Sequence, residues 1–335
     1  MGFAQKLITW QRGHGRHGLP WQGTRDPYRI WLSEVMLQQT QVAAVIPYYE
    51  SFLARFPDVH SLARASEDDV LTLWSGLGYY ARGRNLRKAA IEISTRGFPR
   101  AAQAIAELPG IGRSTAGAIA AFAFGKRAAI LDGNVKRAIA RCFAVEGEKR
   151  LWALAERLLP TRSIETYTQA LMDLGATVCT RKNPVCAACP VAELCRAKKK
   201  SAQHAFPAPR RRKALPLKRA TWWVLVKDGK VLMDKRAGAG LWGGLLTFPE
   251  AAQASWKIQS RKQLPVIEHG FTHLRLRATP VLCEVRGVRL RQGQQWLAIE
   301  AASHSATPTP VKKLLRQLMD RGLSPNSGVW RTARA

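Results

Sequence analysis

Two acidic residues, four closely spaced cysteines and one glycine turn are the parts of this 335-residue chain whose types and spacing suit chemistry. Cys179, Cys186, Cys189 and Cys195 are spaced C-x6-C-x2-C-x5-C, so four thiolates can wrap one compact centre. Zinc and an iron–sulfur cluster are the candidates. Zinc sites usually pair two C-x2-C hooks on separate turns, whereas one hook flanked by single cysteines at longer reach favours a [4Fe–4S] cluster. Leu108-Pro109-Gly110-Ile111-Gly112 lies between two apolar-periodic stretches. Gly110 and Gly112 permit a tight turn whose backbone N–H groups approach a phosphate with no side chain in the way. Twenty residues beyond Gly112, Asp132 stands as an N-cap candidate in Leu131–Arg137. Glu34 has Ile30 and Leu37 about one helical turn away, with Gln38 and Gln41 nearby. A carboxyl among apolar groups is desolvated and favours the protonated form that a general acid requires. Taken singly, each feature has an ordinary reading as a helix–helix turn, a helix cap or a solvated surface carboxylate.

The elements that must position these residues are mostly helical in the first two hundred positions. Asp26-Pro27 reads as a helix start, with a capping residue followed by proline at the first helical position. Tyr28, Trp31, Leu32, Val35 and Met36 then form a buried stripe, with Glu34 on a different face. Further helical patterns cover Val42–Phe56, Glu67–Ser75, Arg84–Ser94, Ala101–Leu108, Ser114–Phe124, Gly133–Ala144, Leu151–Leu159 and Ile164–Leu174. The segment Met1–Trp10 is short and mixed and lacks the apolar core of a secretory signal. Lys198–Leu217, basic and carrying Pro207, Pro209 and Pro216, reads as a linker. Strand patterns follow at Thr221–Val226, Val231–Lys235, Leu245–Phe248, Pro265–Thr272, Arg277–Val285 and Gln295–Ala298, with Asp228-Gly229 as a hairpin turn. A last helix, Thr309–Arg321, closes an α+β domain. The expected organisation is a helical catalytic region over 1–200 with a cluster loop over 179–195, a basic linker over 201–218, and a second domain over 219–335.

Composition narrows the partner. Fifty-three Lys and Arg against 23 Asp and Glu leave a formal charge of +30, and the excess is clustered. From Arg196 to Arg219 there are ten basic residues and no acidic one, and from Ser305 to Ala335 only Asp320 is acidic. Such a field points to nucleic acid, with counterion release supplying much of the affinity. No window of about 18 uncharged apolar residues occurs, so no membrane span is expected. The expectation is a soluble, intracellular protein without a disulfide framework, in which Cys142 and Cys283 are buried core thiols.

Leu32–Thr40 (L-S-E-V-M-L-Q-Q-T), Gly76–Arg82 (G-L-G-Y-Y-A-R), the L-P-G-I-G turn, the L-D-G-N-V-K-R run and the cysteine spacing together resemble the MutY family of adenine DNA glycosylases. These motifs are long and specific, and the resemblance covers nearly the whole chain. It implies a mainly α fold, a helix-hairpin-helix glycosylase of a six-helix barrel plus a [4Fe–4S] helical domain, followed by an α+β Nudix-like domain. The implied activity is excision of adenine opposite 8-oxoguanine or guanine in double-stranded DNA, by a monomer in the cytoplasm, on the nucleoid in a bacterium. Gln39, Thr40, Leu77 and Tyr79 are implied to contact the DNA around the extruded base, and Gln169 the adenine itself. Asn134 is implied to support Asp132, and the hairpin to grip the backbone, with a monovalent cation at its turn. Gly240–Leu245 looks like the start of the Nudix-like domain. The dense acidic helix of a working Nudix hydrolase is missing, since after Glu250 no acidic residue occurs until Glu268. Phe271-Thr272-His273 resembles the F-S-H loop that meets 8-oxoguanine in the family, with Thr272 in place of serine.

On this reading protonated Glu34 donates to adenine N7, and Asp132 stabilises the oxocarbenium ion left on the sugar. The rival enzyme is a bifunctional glycosylase/lyase of the endonuclease III type, which carries a Schiff-base lysine where this chain has Ser114. A zinc base deaminase needs an H-x-E motif upstream of its cysteines, and none precedes Cys179. A non-catalytic DNA-binding protein would use the charge and the hairpin but has no need of Glu34 and Asp132.

Overall fold

Helical periodicity over the first two hundred residues becomes a set of short helices in the computed structural model, which describes residues 2–208, 214–238 and 240–320. They are α1 (Phe3–His14), α2 (Pro27–Leu37), α3 (Val42–Arg55), α4 (Val59–Arg64), α5 (Glu67–Trp74), α6 (Ala81–Arg96), α7 (Ala102–Ala106), α8 (Arg113–Phe124), α9 (Gly133–Phe143), α10 (Glu148–Arg157), α11 (Ile164–Asp173) and α12 (Arg196–Lys199). A π-helical turn, Leu174–Val178, continues α11. Helix α1 was not apparent from its mixed sequence. Phe3, Leu7 and Ile8 nevertheless share one face and bury it in the core formed with α9, α10 and α11. Cys142 belongs to that core.

The chain packs as two compact units, Met1–Arg64 with Lys88–Arg211, and Ala65–Arg87 with Arg212–Ala335. The stretch 65–87, which periodicity alone placed in a continuous helical region, is thus grouped with the C-terminal unit. Its contacts show why. Asp68 pairs with Lys235 at 2.7 Å, Ser75 Oγ donates to the Thr307 carbonyl at 2.8 Å, and Arg84 donates to the Gly243 carbonyl.

The C-terminal unit is built on a sheet of β1 (Leu217–Lys227), β2 (Lys230–Lys235), β3 (Leu246–Thr247), β4 (Ile258–Gln263), β5 (Ile267–Gly270), β6 (Arg275–Val285) and β7 (Gln294–Ala298), followed by α13 (Ile299–His304) and α14 (Thr309–Asp320). The order is β3-β2-β1-β6-β4, with β5 also on β6 and β7 on β2. The two long strands, β1 and β6, run parallel from Leu217↔Arg275 to Val226↔Glu284. The Asp228-Gly229 turn joins antiparallel β1 and β2 as the sequence indicates. Cys283 is buried with Leu225, Leu232, Trp256 and Val285, and α14 buries Val311, Leu314, Leu315 and Leu318. The expected linker is not free chain throughout: Gln203 and Phe206 are held by hydrogen bonds through their carbonyls, and Leu217 already belongs to β1. Residues 209–213 of that linker, and Arg321 at the end of the expected last helix, lie outside the described residues. No helix among the described residues is long and apolar enough to cross a membrane.

Candidate active site and cluster site

Glu34 owes its position to the start of α2. Asp26 caps the helix, accepting from the Tyr28 amide at 2.9 Å, and Pro27 occupies the first turn. Tyr28, Trp31, Leu32, Val35 and Met36 anchor the helix in the core, which turns Glu34 onto the wall of a cleft of about 610 Å³. Arg16, Trp21, Ile30, Leu37, Phe122 and Gln169 share that wall. The carboxyl opens on the cleft yet is surrounded by protein. Desolvation, with a further contribution from the charge of Asp132, raises its pKa from 4.5 to about 8. Asp132 thus lies within electrostatic reach of Glu34, although it is not itself among the residues lining the cleft.

Asp132 is fixed from two sides. It caps α9, and its Oδ1 accepts from the amides of Asn134 (2.6 Å) and Val135 (2.9 Å), while Oδ2 has no donor among the described residues. Immediately before it, the Leu131 amide donates to Ser114 Oγ at 2.9 Å. Ser114, in the first turn of α8, therefore ties the hairpin to the loop that carries Asp132. Gly110 has φ +78, which favours glycine, but Gly112 has φ −88, which any residue adopts, and the space beside its Cα is open. Gln38 reaches across from the end of α2, donating to Thr115 Oγ1 at 3.2 Å and more weakly to the Gly110 carbonyl. Gln39 follows in the left-handed region at φ +58, exposed, and Thr40 Oγ1 donates to the Gln38 carbonyl. Asn134 Oδ1 accepts from Arg137 Nη2 at 2.8 Å.

Leu77 and Tyr79 belong to the C-terminal unit. Leu77 is buried, whereas Tyr79 takes φ +49, is 41% exposed and packs its ring against the Arg82 guanidinium. In the same unit Phe271 lies 5.5 Å from the Trp242 ring and 4.7 Å from His269. The Phe271 amide donates to the Leu274 carbonyl, closing a turn between β5 and β6 that leaves Thr272 and His273 exposed at its tip.

The four cysteines surround a cavity, and among the described residues they do not converge as three or more ligands on one metal ion. Donors point at the sulfurs: Arg141 Nη1 at Cys179 (3.5 Å), the Lys198 amide at Cys195 (3.4 Å) and Gln203 Nε2 at Cys186 (3.6 Å). Four sulfurs lining one cavity and receiving N–H bonds suit an iron–sulfur cluster. Arg141, 3% exposed, also donates to the carbonyls of Thr180, Arg181, Gln203 and Phe206 and so ties the start of the cysteine loop and the segment after it to α9. One turn earlier, Arg137 links the Cys179 carbonyl (2.7 Å) with Asn134. Arg137 and Arg141 were not singled out from sequence, although their four-residue spacing on a predicted helix puts them on one face. Arg16, Trp21 and Asp173 carry no sequence mark of their place in the site. The first two lie in an irregular segment without periodicity, and nothing in sequence marks Asp173 as fully buried.

Comparison with known proteins follows this layout. Residues 32–160 match the model of the HhH-GPD superfamily base excision DNA repair protein, 179–195 the iron–sulfur binding domain of endonuclease III, and 221–317 a NUDIX domain. An adenine DNA glycosylase of Buchnera aphidicola is 34% identical over 94% of this chain and 96% of its own. One of Homo sapiens is 31% identical, covering 94% of this chain and 73% of its own. A solved thermostable thymine-DNA glycosylase superposes with a TM-score of 0.56 at 30% identity, over 59% of this chain and 95% of that one.

Proposed function

We propose a target and a mechanism for this chain, which belongs to the adenine DNA glycosylase family. It is a DNA-binding adenine glycosylase of base excision repair with a [4Fe–4S] cluster, and the endonuclease III type of activity is not favoured. The target is adenine opposite 8-oxoguanine or guanine, and the observation that carries the mechanism is the raised pKa of Glu34 on the cleft wall beside Asp132.

Adenine inside a duplex is out of reach of any side chain, so it is extruded into the cleft, against about a few kcal/mol of lost stacking and pairing. Gln39, Thr40, Leu77 and Tyr79 contact the DNA around the gap, and Gln169 meets the base. Glu34, held neutral by desolvation, donates its proton to N7. The N9–C1′ bond then breaks with its electron pair passing to the base, which leaves as neutral adenine. Asp132, whose Oδ2 is unoccupied by any described donor, offsets the positive charge on the sugar. Water adds at C1′ and loses a proton, giving an abasic site. Asn134 and Ser114 hold Asp132 in place. Ser114 stands where a lyase carries lysine, and Lys136 pairs with Glu148 at 3.0 Å, which supports a monofunctional enzyme. The hairpin amides grip the backbone, with a monovalent cation at the turn. Cys179, Cys186, Cys189 and Cys195 would hold the cluster, which would cross-link the 179–195 loop. Phe271, Thr272 and His273 read the opposite base. The enzyme acts as a monomer wherever chromosomal DNA lies, in the bacterial case the cytoplasm and its nucleoid.

The deciding assay is release of free adenine from a duplex carrying one A:8-oxoguanine pair, with the strand remaining intact until alkali is added. Strand scission in proportion to base release, without alkali, would establish a lyase instead.

A further inference from the structure

The base-facing wall of the cleft has a carboxylate behind it that no described step uses. Asp173, at the end of α11, is fully buried. Its Oδ1 accepts from Arg16 Nε at 2.6 Å and from Gln169 Nε2 at 2.9 Å, and its Oδ2 accepts from the Arg16 backbone amide at 2.9 Å. Arg16 and Gln169 both line the cleft, and Asp173 does not. A carboxylate only accepts hydrogen bonds, so it settles which end of the Gln169 amide turns toward it: the NH2 end. Oε1 is thereby the end left over, and it has no donor among the described residues. Arg16 is treated in the same way, since Nε is consumed by Asp173 and neither Nη has an acceptor among the described residues.

We infer that Asp173 is a positioning residue that fixes the hydrogen-bond polarity of the base-reading wall, presenting Gln169 Oε1 as an acceptor for the exocyclic amine of adenine. The inference rests on the reading that Gln169 meets the extruded base. An acceptor at that point rewards an N6 amino group and repels a 6-oxo group, because two lone pairs would then face each other. Asp173 thus acts on specificity through Gln169 without touching substrate. The irregular segment 15–23 shares in the arrangement. The Gln22 side chain donates to the Arg16 carbonyl at 3.0 Å and accepts from the Leu19 amide at 3.0 Å, so Arg16 cannot turn away without breaking that loop.

The test is a single-turnover comparison of adenine with hypoxanthine, each opposite the same base, in the full-length holoenzyme. The wild type, Asp173→Asn, Gln169→Leu and the double variant are measured, and only the ratio of the two rates is read. A merely structural loss slows both substrates alike and leaves the ratio unmoved. Asp173→Asn lets the Gln169 amide turn either end to the cleft, so the ratio should fall about tenfold, the effect of roughly one hydrogen bond. Gln169→Leu should lower it similarly, and the double variant should fall no further than Gln169→Leu alone. An unchanged ratio in Asp173→Asn beside a lowered one in Gln169→Leu overturns the role of Asp173. An unchanged ratio in Gln169→Leu overturns the placement of Gln169 against the base, and the inference with it. Should Asp173→Asn not fold, Gln169→Glu serves, because it sets two carboxyls against one another with one proton between them. Its adenine/hypoxanthine ratio should then vary between about pH 5 and 8, and a flat ratio overturns the contact.

Discussion

A carboxyl whose pKa lies near 8 leaves two separate marks, one on rate and one on stability. If Glu34 supplies the proton for base departure, single-turnover excision should decline above about pH 8 as the group ionises, and Glu34→Gln should bind mispaired DNA while losing base release. A Glu34→Gln variant that cut at the wild-type rate would remove the general-acid role. For stability, the folded state holds the proton between 4.5 and about 8 while the unfolded chain does not. Folding therefore takes up a proton in that window, and wild-type stability falls as pH rises through it. Glutamine has no such cost. Thermal melts should show Glu34→Gln gaining on the wild type from pH 5 to pH 9, by about 2–4 kcal/mol, less than full desolvation implies because the carboxyl opens on the cleft. A constant difference across that range would mean that Glu34 is not desolvated. The residue scale is also where sequence was most informative. Glu34, Asp132 and the cysteines were visible because their types and spacing are rare together. Asp173 was not, because burial of a carboxylate is decided by partners 157 and four residues away.

Helix α9 is the element on which the two sites meet, with Asp132 at its cap, Asn134 in its first turn, and Arg137 and Arg141 toward the cysteine loop. Its fit depends on Gly175 in the π-helical turn. A Cβ there would lie 2.5 Å from the Asn134 Cβ and 2.9 Å from its backbone, on two rigid segments that cannot both give way. Gly175→Ala should therefore cost about 1–3 kcal/mol of stability and slow excision at saturating DNA, by displacing Asp132 with its helix. Wild-type melting and rate in that variant would show that α9 tolerates displacement. Elements with a buried stripe, such as α2, α10 and α14, were legible because apolar spacing reports the packed face. Strand β4 was not, since every residue from Ile258 to Gln263 is exposed and the strand is placed by backbone pairing to β6. The segment after Cys195 was legible only as basic and proline-rich. Its attachment through Arg141 is made by carbonyls, which have no sequence signature.

Across the whole molecule the dominant quantity is the charge of +30. It predicted the partner but not the grouping of 65–87 with the C-terminal unit, which depends on contacts such as Asp68 with Lys235 between residues far apart in sequence. Exposed Arg181, Lys182, Arg196 and Lys198–Lys200 surround the cysteine loop. A protein that binds DNA mainly through such a face releases condensed cations in proportion to the phosphates it meets. With about six to ten phosphates contacted, affinity for any duplex should fall about 10³–10⁵-fold between 50 and 200 mM salt. Arg181→Ala with Lys182→Ala should reduce the slope of log K against log salt by about one per lost phosphate contact, equally for mispaired and matched DNA. That uniformity separates the basic face from the base-reading groups. Thr272→Ala with His273→Ala should instead change the ratio of affinities for A:8-oxoguanine and A:G, by about 1–3 kcal/mol, with the salt slope unmoved. Titrations on a Glu34→Gln background keep the substrate intact during both measurements. If the loop variant lowered both affinities equally, or if Arg181→Ala with Lys182→Ala shifted the mispair preference, the division between a backbone-gripping face and a base-reading loop would be wrong.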